Sequence, residues 1–190
     1  MEEIIVATNN EGKLKEIKEI LKEYNLKSLR EVGCEIDVIE DCDTFEGNAK
    51  KKALEISEAI NKPCLADDSG LCIDYLDGFP GVHTARAMGR DKESFNLILE
   101  KLKGVPKEKR TARVICYMVY YNKGKFVIGK GEVLGKIAFE RKGNNGFGFD
   151  EIFELDNGKT LGELSTKEKN KISARYLALM DLKKKINNLI

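Results

Sequence analysis

Two adjacent carboxylates, Asp67 and Asp68, interrupt an apolar run: Pro63-Cys64-Leu65-Ala66 precedes them, and Leu71-Cys72-Ile73 follows Ser69 and Gly70. Neighbouring acids repel, and each loses hydration when the chain around it is buried. A divalent cation offsets both costs, so the pair suits a metal-assisted site; a solvated acidic turn is the other reading. A second acidic cluster, Glu40, Asp41 and Asp43, lies upstream. Cations stand at Lys13, just after Thr8-Asn9-Asn10, at Lys52, and at Lys169, Lys171 and Arg175. A glycine-aromatic stretch runs from Gly143 to Asp150 and includes Phe147, Gly148 and Phe149. Its glycines permit close backbone approach and its phenylalanines offer faces to a planar ring; a loop tucking two aromatics into the core is the alternative. Acids for Mg²⁺, lysines and helix N-termini for phosphates and a Gly/Phe loop for a base together describe a nucleoside-phosphate site. His83 is the only histidine, so a metal-coupled carboxylate is the candidate base for hydrolysis.

The elements that must position these groups follow from periodicity. Ile4 to Ala7 reads as a strand, and Thr8-Asn9-Asn10 as a polar turn. A helix with Leu14, Ile17, Ile20, Leu21 and Tyr24 on one face comes next, capped by Asn9 or Asn10. That turn places backbone N–H groups and Lys13 at a helix N-terminus, which suits an anion; an ordinary capped helix with a surface lysine is the bland alternative. Cys34 to Glu40 alternates like a half-buried strand and delivers Glu40 at its end. A helix follows with Phe45, Ala49, Ala53, Ile56 and Ile60 inward and Asp43 or Thr44 as cap. Pro63 to Ala66 reads as a buried strand leading into a tight turn at Asp67-Asp68-Ser69-Gly70. Asp77 to Gly81 is a turn, and Asp91 can cap a helix bearing Phe95, Ile98, Leu99 and Leu102. Ala112–Tyr121 and Lys125–Leu134 around Asn122-Lys123-Gly124 read as an antiparallel hairpin. Ser165-Thr166-Lys167-Glu168 is a capping box that opens the last helix, with Ile172, Tyr176, Leu179, Met180 and Ile186 inward.

Composition bounds the answer. The chain has 190 residues, 42% hydrophobic and 34% charged, which suits one domain with two lobes. Lys and Arg number 33 against 32 Asp and Glu, for a net charge of +1. This balance gives no case for bulk nucleic-acid binding or an anionic membrane surface. The acidic Met1-Glu2-Glu3 start and the absence of a long apolar run lead us to expect a cytoplasmic protein without a membrane span. Five cysteines without a C-x-x-C read as reduced thiols. Gly158-Lys159-Thr160 mimics the end of a P-loop, but Phe153 stands where the earlier glycine belongs.

Taken in order, several motifs resemble the inosine triphosphatase family, the noncanonical purine NTP pyrophosphatases. They are Ala7-Thr8-Asn9-Asn10-Glu11-Gly12-Lys13, Thr44-Phe45-x-x-Asn48-Ala49-x-x-Lys52-Ala53 and Ala66-Asp67-Asp68-Ser69-Gly70-Leu71. Gly78-Phe79-Pro80-Gly81-Val82-x-x-Ala85-Arg86, Gly146 to Asp150, and Glu168-Lys169-x-x-Ile172-Ser173-x-Arg175 continue the series over nearly the whole chain. The resemblance implies an α/β fold: a mixed central sheet with flanking helices, and two lobes around a substrate cleft. It also implies a homodimer and Mg²⁺-dependent hydrolysis of ITP, dITP and XTP to the monophosphate and pyrophosphate. By the same resemblance Asp68 is the general base and a metal ligand, and Glu40 the other metal acid. Thr8, Asn10, Lys13 and Lys52 are triphosphate contacts, joined by Ser69. Phe147, Gly148, Phe149, Asp150, Lys169 and Arg175 are nucleoside contacts, and Asn9, Arg86 and Ala174 complete the substrate-binding set.

Three positions depart from the family's pattern. Ser173-Ala174-Arg175 stands for Ser-His-Arg, Phe149 for tyrosine or tryptophan, and Glu151 for proline. The metal and phosphate end matches and the base-reading end differs, which implies a weakened preference for ITP and XTP over ATP. Two other classes stay open: a nucleotide-binding regulatory module, and a pyrophosphatase for modified or pyrimidine nucleotides.

Overall fold

The structure, a computed structural model, describes residues 3–84, 94–146 and 148–187. Six strands form one mixed sheet flanked by helices, in the order β2-β1-β3-β4-β5-β6. The strands are β1 (Glu3–Val6), β2 (Asn25–Ser28), β3 (Cys64–Ile73), β4 (Thr111–Asn122), β5 (Lys125–Ile137) and β6 (Phe153–Glu154). β1 runs parallel to β2 and β3, and β5 antiparallel to β6. The described α-helices are α1 (Glu11–Ile20), α2 (Phe45–Ile60), α3 (Ser94–Lys101), α4 (Thr166–Lys169) and α5 (Ala174–Asn187). The chain forms two compact units, one from Met1–Asp68, Cys116–Gly131 and Ala174–Ile190, the other from Ser69–Ile115 and Glu132–Ser173.

In the first unit strand alternation assigns each face of the sheet to a helix. Ile5 of β1, Ala7 just beyond its end, and Cys64 and Ala66 of β3 share a buried cluster with Ala49, Ala53 and Ile56 of α2. Their small side chains let α2 lie close to the sheet. Residues of the opposite parity, Ile4 and Leu65, line an apolar cavity with Leu21 at the end of α1 and Leu179 and Leu182 of α5. Helix α5 approaches β5 where glycine leaves room: a Cβ on Gly129 would lie 2.1 Å from the Ala178 carbonyl oxygen, and one on Gly131 2.0 Å from that of Ala174. Lys123 and Gly124 join β4 to β5 with φ of 45° and 82°, the left-handed pair of a type I′ hairpin turn.

In the second unit α3 buries Phe95 and Ile98, and Leu102 follows them inward. Arg110 is 2% exposed. It donates to the carbonyls of Leu102 at 2.7 Å, Ile137 at 2.8 Å and Ala138 at 2.7 Å, which gives each of its three buried nitrogens a partner. Asp77 and Gly78 make the expected turn with φ of 51° and 84°.

Three expectations are corrected. Cys34 to Glu40 is not a strand: Cys34 and Val38 pack against the core while Ile39 is 71% exposed, so the segment alternates in burial without strand structure. The place beside β1 belongs to Asn25–Ser28, a four-residue strand too short to show a period. The chain does not turn at Asp67-Asp68-Ser69-Gly70 but continues as β3 to Ile73. The capping box at Ser165 and Glu168 is present but serves only the single turn α4; α5 begins afresh at Ala174, and Ile172 is 39% exposed. Thr44 rather than Asp43 caps α2, and the proposed cap Asp91 lies outside the described residues.

Candidate active site

Because successive strand residues point to opposite faces, Asp67 and Asp68 enter different surroundings. Asp67 shares the parity of Leu65. It is 1% exposed, and its Oδ2 lies 3.0 Å from Lys13 Nζ and 3.3 Å from Arg175 Nη2. Lys13 is delivered by the first turn of α1, whose cap is Asn10 Oδ1 accepting from the Lys13 N–H at 3.1 Å. Arg175, in the first turn of α5, also donates to the buried Glu16 of α1. Burial opposes the charge on Asp67, but Lys13, Arg175 and Lys52 outweigh it and hold the carboxyl well below the usual range. Asp67 Oδ1 is buried and has no hydrogen-bond partner among the described residues. Asp67 is thus an anchor that fixes two cations.

Asp68 shares the parity of Ala66 and faces α2. Asn48 Nδ2 donates to its Oδ2 at 3.0 Å, while Asn48 Oδ1 accepts from the Cys42 N–H at 2.9 Å. Thr44 caps α2 by accepting from the Gly47 N–H at 3.0 Å, which starts the helix so that Asn48 and Lys52, one turn apart, share a face. Lys52 pairs with Glu40. Burial pushes the Asp68 carboxyl up to about 6; the Glu40 charge adds to this, and Lys52, Asn48 and Lys13 oppose it. Burial disfavours the Lys52 ammonium, yet the charges of Asp67, Glu40 and Asp68 raise its pKa. The arrangement is a carboxylate that titrates near neutrality beside a second carboxylate and a protonated lysine.

Among the described residues no group of three or more His, Cys, Asp or Glu could hold a metal ion unaided. Glu40 and Asp68 nonetheless fit Mg²⁺. They supply two hard oxygen donors whose mutual repulsion is felt in the raised Asp68 pKa. Mg²⁺ is commonly held by one or two carboxylates, completing its shell with water and substrate phosphate oxygens.

The remaining candidates are placed as follows. Thr8 Oγ1 accepts from the Asn10 N–H at 3.2 Å, and Asn9 is exposed. Ala174 is buried. In the second unit Ser69 is half-buried on β3. Gly148 and Phe149 open the 3₁₀ turn Gly148–Glu151, exposed and half-buried respectively. Asp150 and Lys169, 3% and 5% exposed, form a 2.7 Å ion pair. Phe147 and Arg86 lie outside the described residues. The structure therefore brings Lys13, Glu40, Lys52 and Asp68 together in one unit, and Phe149, Asp150 and Lys169 in the other. Arg175 belongs with the first group through Asp67. Sequence reasoning passed over the roles of Glu16 and Asp67, and noted Asn48 only for the helix face it shares with Lys52. Asn48 carried a signal in its one-turn spacing from Lys52; Glu16 carried none, because its partner is 159 residues away.

The Ham1 family's sequence profile matches residues 4–185. The chain is 47% identical over 191 residues to a dITP/XTP pyrophosphatase of Bacillus subtilis, covering 97% of this chain and 96% of that one. It is 42% identical over 203 residues to a dITP/XTP pyrophosphatase of Clostridium perfringens, covering 100% of each. Its fold is similar to the solved Staphylococcus aureus Ham1 protein, with a TM-score of 0.88 and 35% identity over 99% of this chain and 100% of that one. Family profile, full-length identity and shared fold agree: the chain belongs to the Ham1 family.

Proposed function

We propose that this protein hydrolyses noncanonical purine nucleoside triphosphates, ITP, dITP and XTP, to the monophosphate and pyrophosphate. The observation that carries the reading is Asp68: a buried carboxylate oriented by Asn48, on the face of α2 that also presents the Lys52–Glu40 pair. At neutral pH Asp68 is mostly ionised and accepts a proton from the attacking water. Asn48 holds Oδ2 and so fixes the plane in which that proton is taken. Lys13 and Lys52 hold the phosphates and stabilise the leaving pyrophosphate. Asp67 holds Lys13 in place through their ion pair. Mg²⁺, held by Glu40 and Asp68, would supply charge neutralisation at the phosphate oxygens and a more acidic bound water. Phe147 to Asp150, Lys169 and Arg175 are assigned to the nucleoside, on the family resemblance.

The family resemblance also supports a homodimer, which light scattering would test. Among the described residues no helix is long and apolar enough to cross a membrane; work on the nucleotide pool fits a cytoplasmic protein. The deciding experiment is a panel of nucleotides with and without Mg²⁺, in which pyrophosphate and orthophosphate are scored separately. The expected result is Mg²⁺-dependent pyrophosphate from ITP, dITP and XTP. Orthophosphate as the primary product, or binding without turnover, would overturn the reading.

A further inference from the structure

The segment carrying Phe149 and Asp150 is held by residues that have no part in the site described above. We infer that the Arg141–Glu151 pair and Gly162 are positioning residues for this segment, and through it for the nucleoside; the inference rests on the assignment of Phe149 and Asp150 to nucleoside binding.

The two stems of the loop are clasped twice. Arg141 Nε and Nη2 both reach Glu151 Oε2, at 2.8 and 2.6 Å, and the Lys142 N–H donates to the Glu151 carbonyl at 2.8 Å. The ion pair is partly buried, with side chains 27% and 15% exposed, so it is less screened than a surface pair. The loop then rests on the turn Leu161–Glu163. Asn145 N–H donates to the Gly162 carbonyl at 3.0 Å, and Thr160 Oγ1 to the Lys142 carbonyl at 2.7 Å. The turn is braced by its own capping box between Thr160 and Glu163.

These contacts leave no slack. A Cβ on Gly162 would lie 2.8 Å from the Lys142 carbonyl oxygen and 3.0 Å from Glu151 Cα. A Cβ on Gly146 would lie 2.1 Å from Asp150 Oδ2, so the loop backbone lies directly against that carboxylate. Asp150 is in turn fixed by Lys169. A displacement at either stem must therefore move Asp150 or open the loop above it. Each perturbation acts at a distance from the assigned contacts, so it should alter substrate affinity more than the chemical step.

The test compares wild type with Glu151→Ala, Arg141→Ala, Gly162→Ala and the charge-swapped Arg141→Glu/Glu151→Arg. ITP binding is measured by calorimetry in metal-free buffer, KM and kcat for ITP with Mg²⁺, and Tm for each. We expect Kd and KM to rise about tenfold in the three single variants, with kcat held within about twofold. The charge swap should recover most of the loss. Unchanged Kd and KM with a lowered Tm would reduce these residues to structural supports and overturn the inference. If wild type binds ITP without turnover, the proposed activity fails, while the Kd values still decide the inference. If wild type neither binds ITP in metal-free buffer nor turns it over with Mg²⁺, both fail.

Discussion

Replacing Asp68 by asparagine should raise stability while it removes activity. The Asp68 carboxyl titrates at about 6 instead of 3.8, so keeping it ionised costs the fold about 3 kcal/mol at neutral pH. The sign follows from the direction of the shift. Below the unfolded value the group is protonated in both states and nothing is lost; as pH rises through the folded value the penalty develops in full. Asparagine has the same shape, can accept from Asn48 through its carbonyl oxygen, and carries no charge to bury. In metal-free buffer at pH 8, Asp68→Asn should therefore melt about 6–12 °C above wild type, and the gap should close near pH 4. The same substitution removes the base, so kcat for ITP should fall roughly 10²-fold or more. Calorimetric melts from pH 4 to 8 and steady-state pyrophosphate release test both halves. A variant that melts below wild type at pH 8 would show that the carboxylate is not strained. Retention of near-full activity would remove Asp68 as base and make Asp67 the next candidate.

Arg175→Ala leaves Asp67 and Glu16 buried with fewer partners, and should cost about 3–5 kcal/mol in denaturant unfolding; adding Glu16→Gln should recover part of it, and strictly additive losses would refute the coupled network. Ala174→His should widen the ITP-to-ATP ratio of kcat/KM. It should also lower stability by about 1–3 kcal/mol, because position 174 is buried; an unchanged ratio in a folded variant would exclude this position from base recognition. Glu31 accepts from Lys18 Nζ, the Ser28 N–H and Ser28 Oγ, and these bonds lower its carboxyl to about 2. Its contribution is present above the unfolded value of 4.5 and is lost as pH falls toward 2. Glu31→Gln should thus melt slightly below wild type at pH 7, by a small amount since the pair is exposed; a gap that widens on acidification would contradict the sign.

Local chemistry made much of this protein legible from its sequence. The cap at Asn10, the 3/4 spacing of α1 and α2, the hairpin at Lys123-Gly124 and the motifs around Lys13, Lys52 and Asp68 are written within a few residues of one another, and periodicity reports them. Whether Asp67-Asp68 is a solvated turn or a buried strand could not be read locally. Both are compatible with two acids after an apolar run, and only the cations brought by α1, α2 and α5 make their burial tolerable. The same holds for Glu16 and Arg175, which meet only after the chain has folded back on itself. Cys34–Glu40 fails in the opposite sense: its alternation is real, and Cys34 and Val38 do reach the core, but a strand also needs a neighbour to bond, and tertiary structure gave the edge beside β1 to Asn25–Ser28. Sequence spacing set which residues could act; the division of Asp67 and Asp68 between two faces of one strand, one an anchor for cations and one a carboxylate raised toward neutrality, was decided by packing.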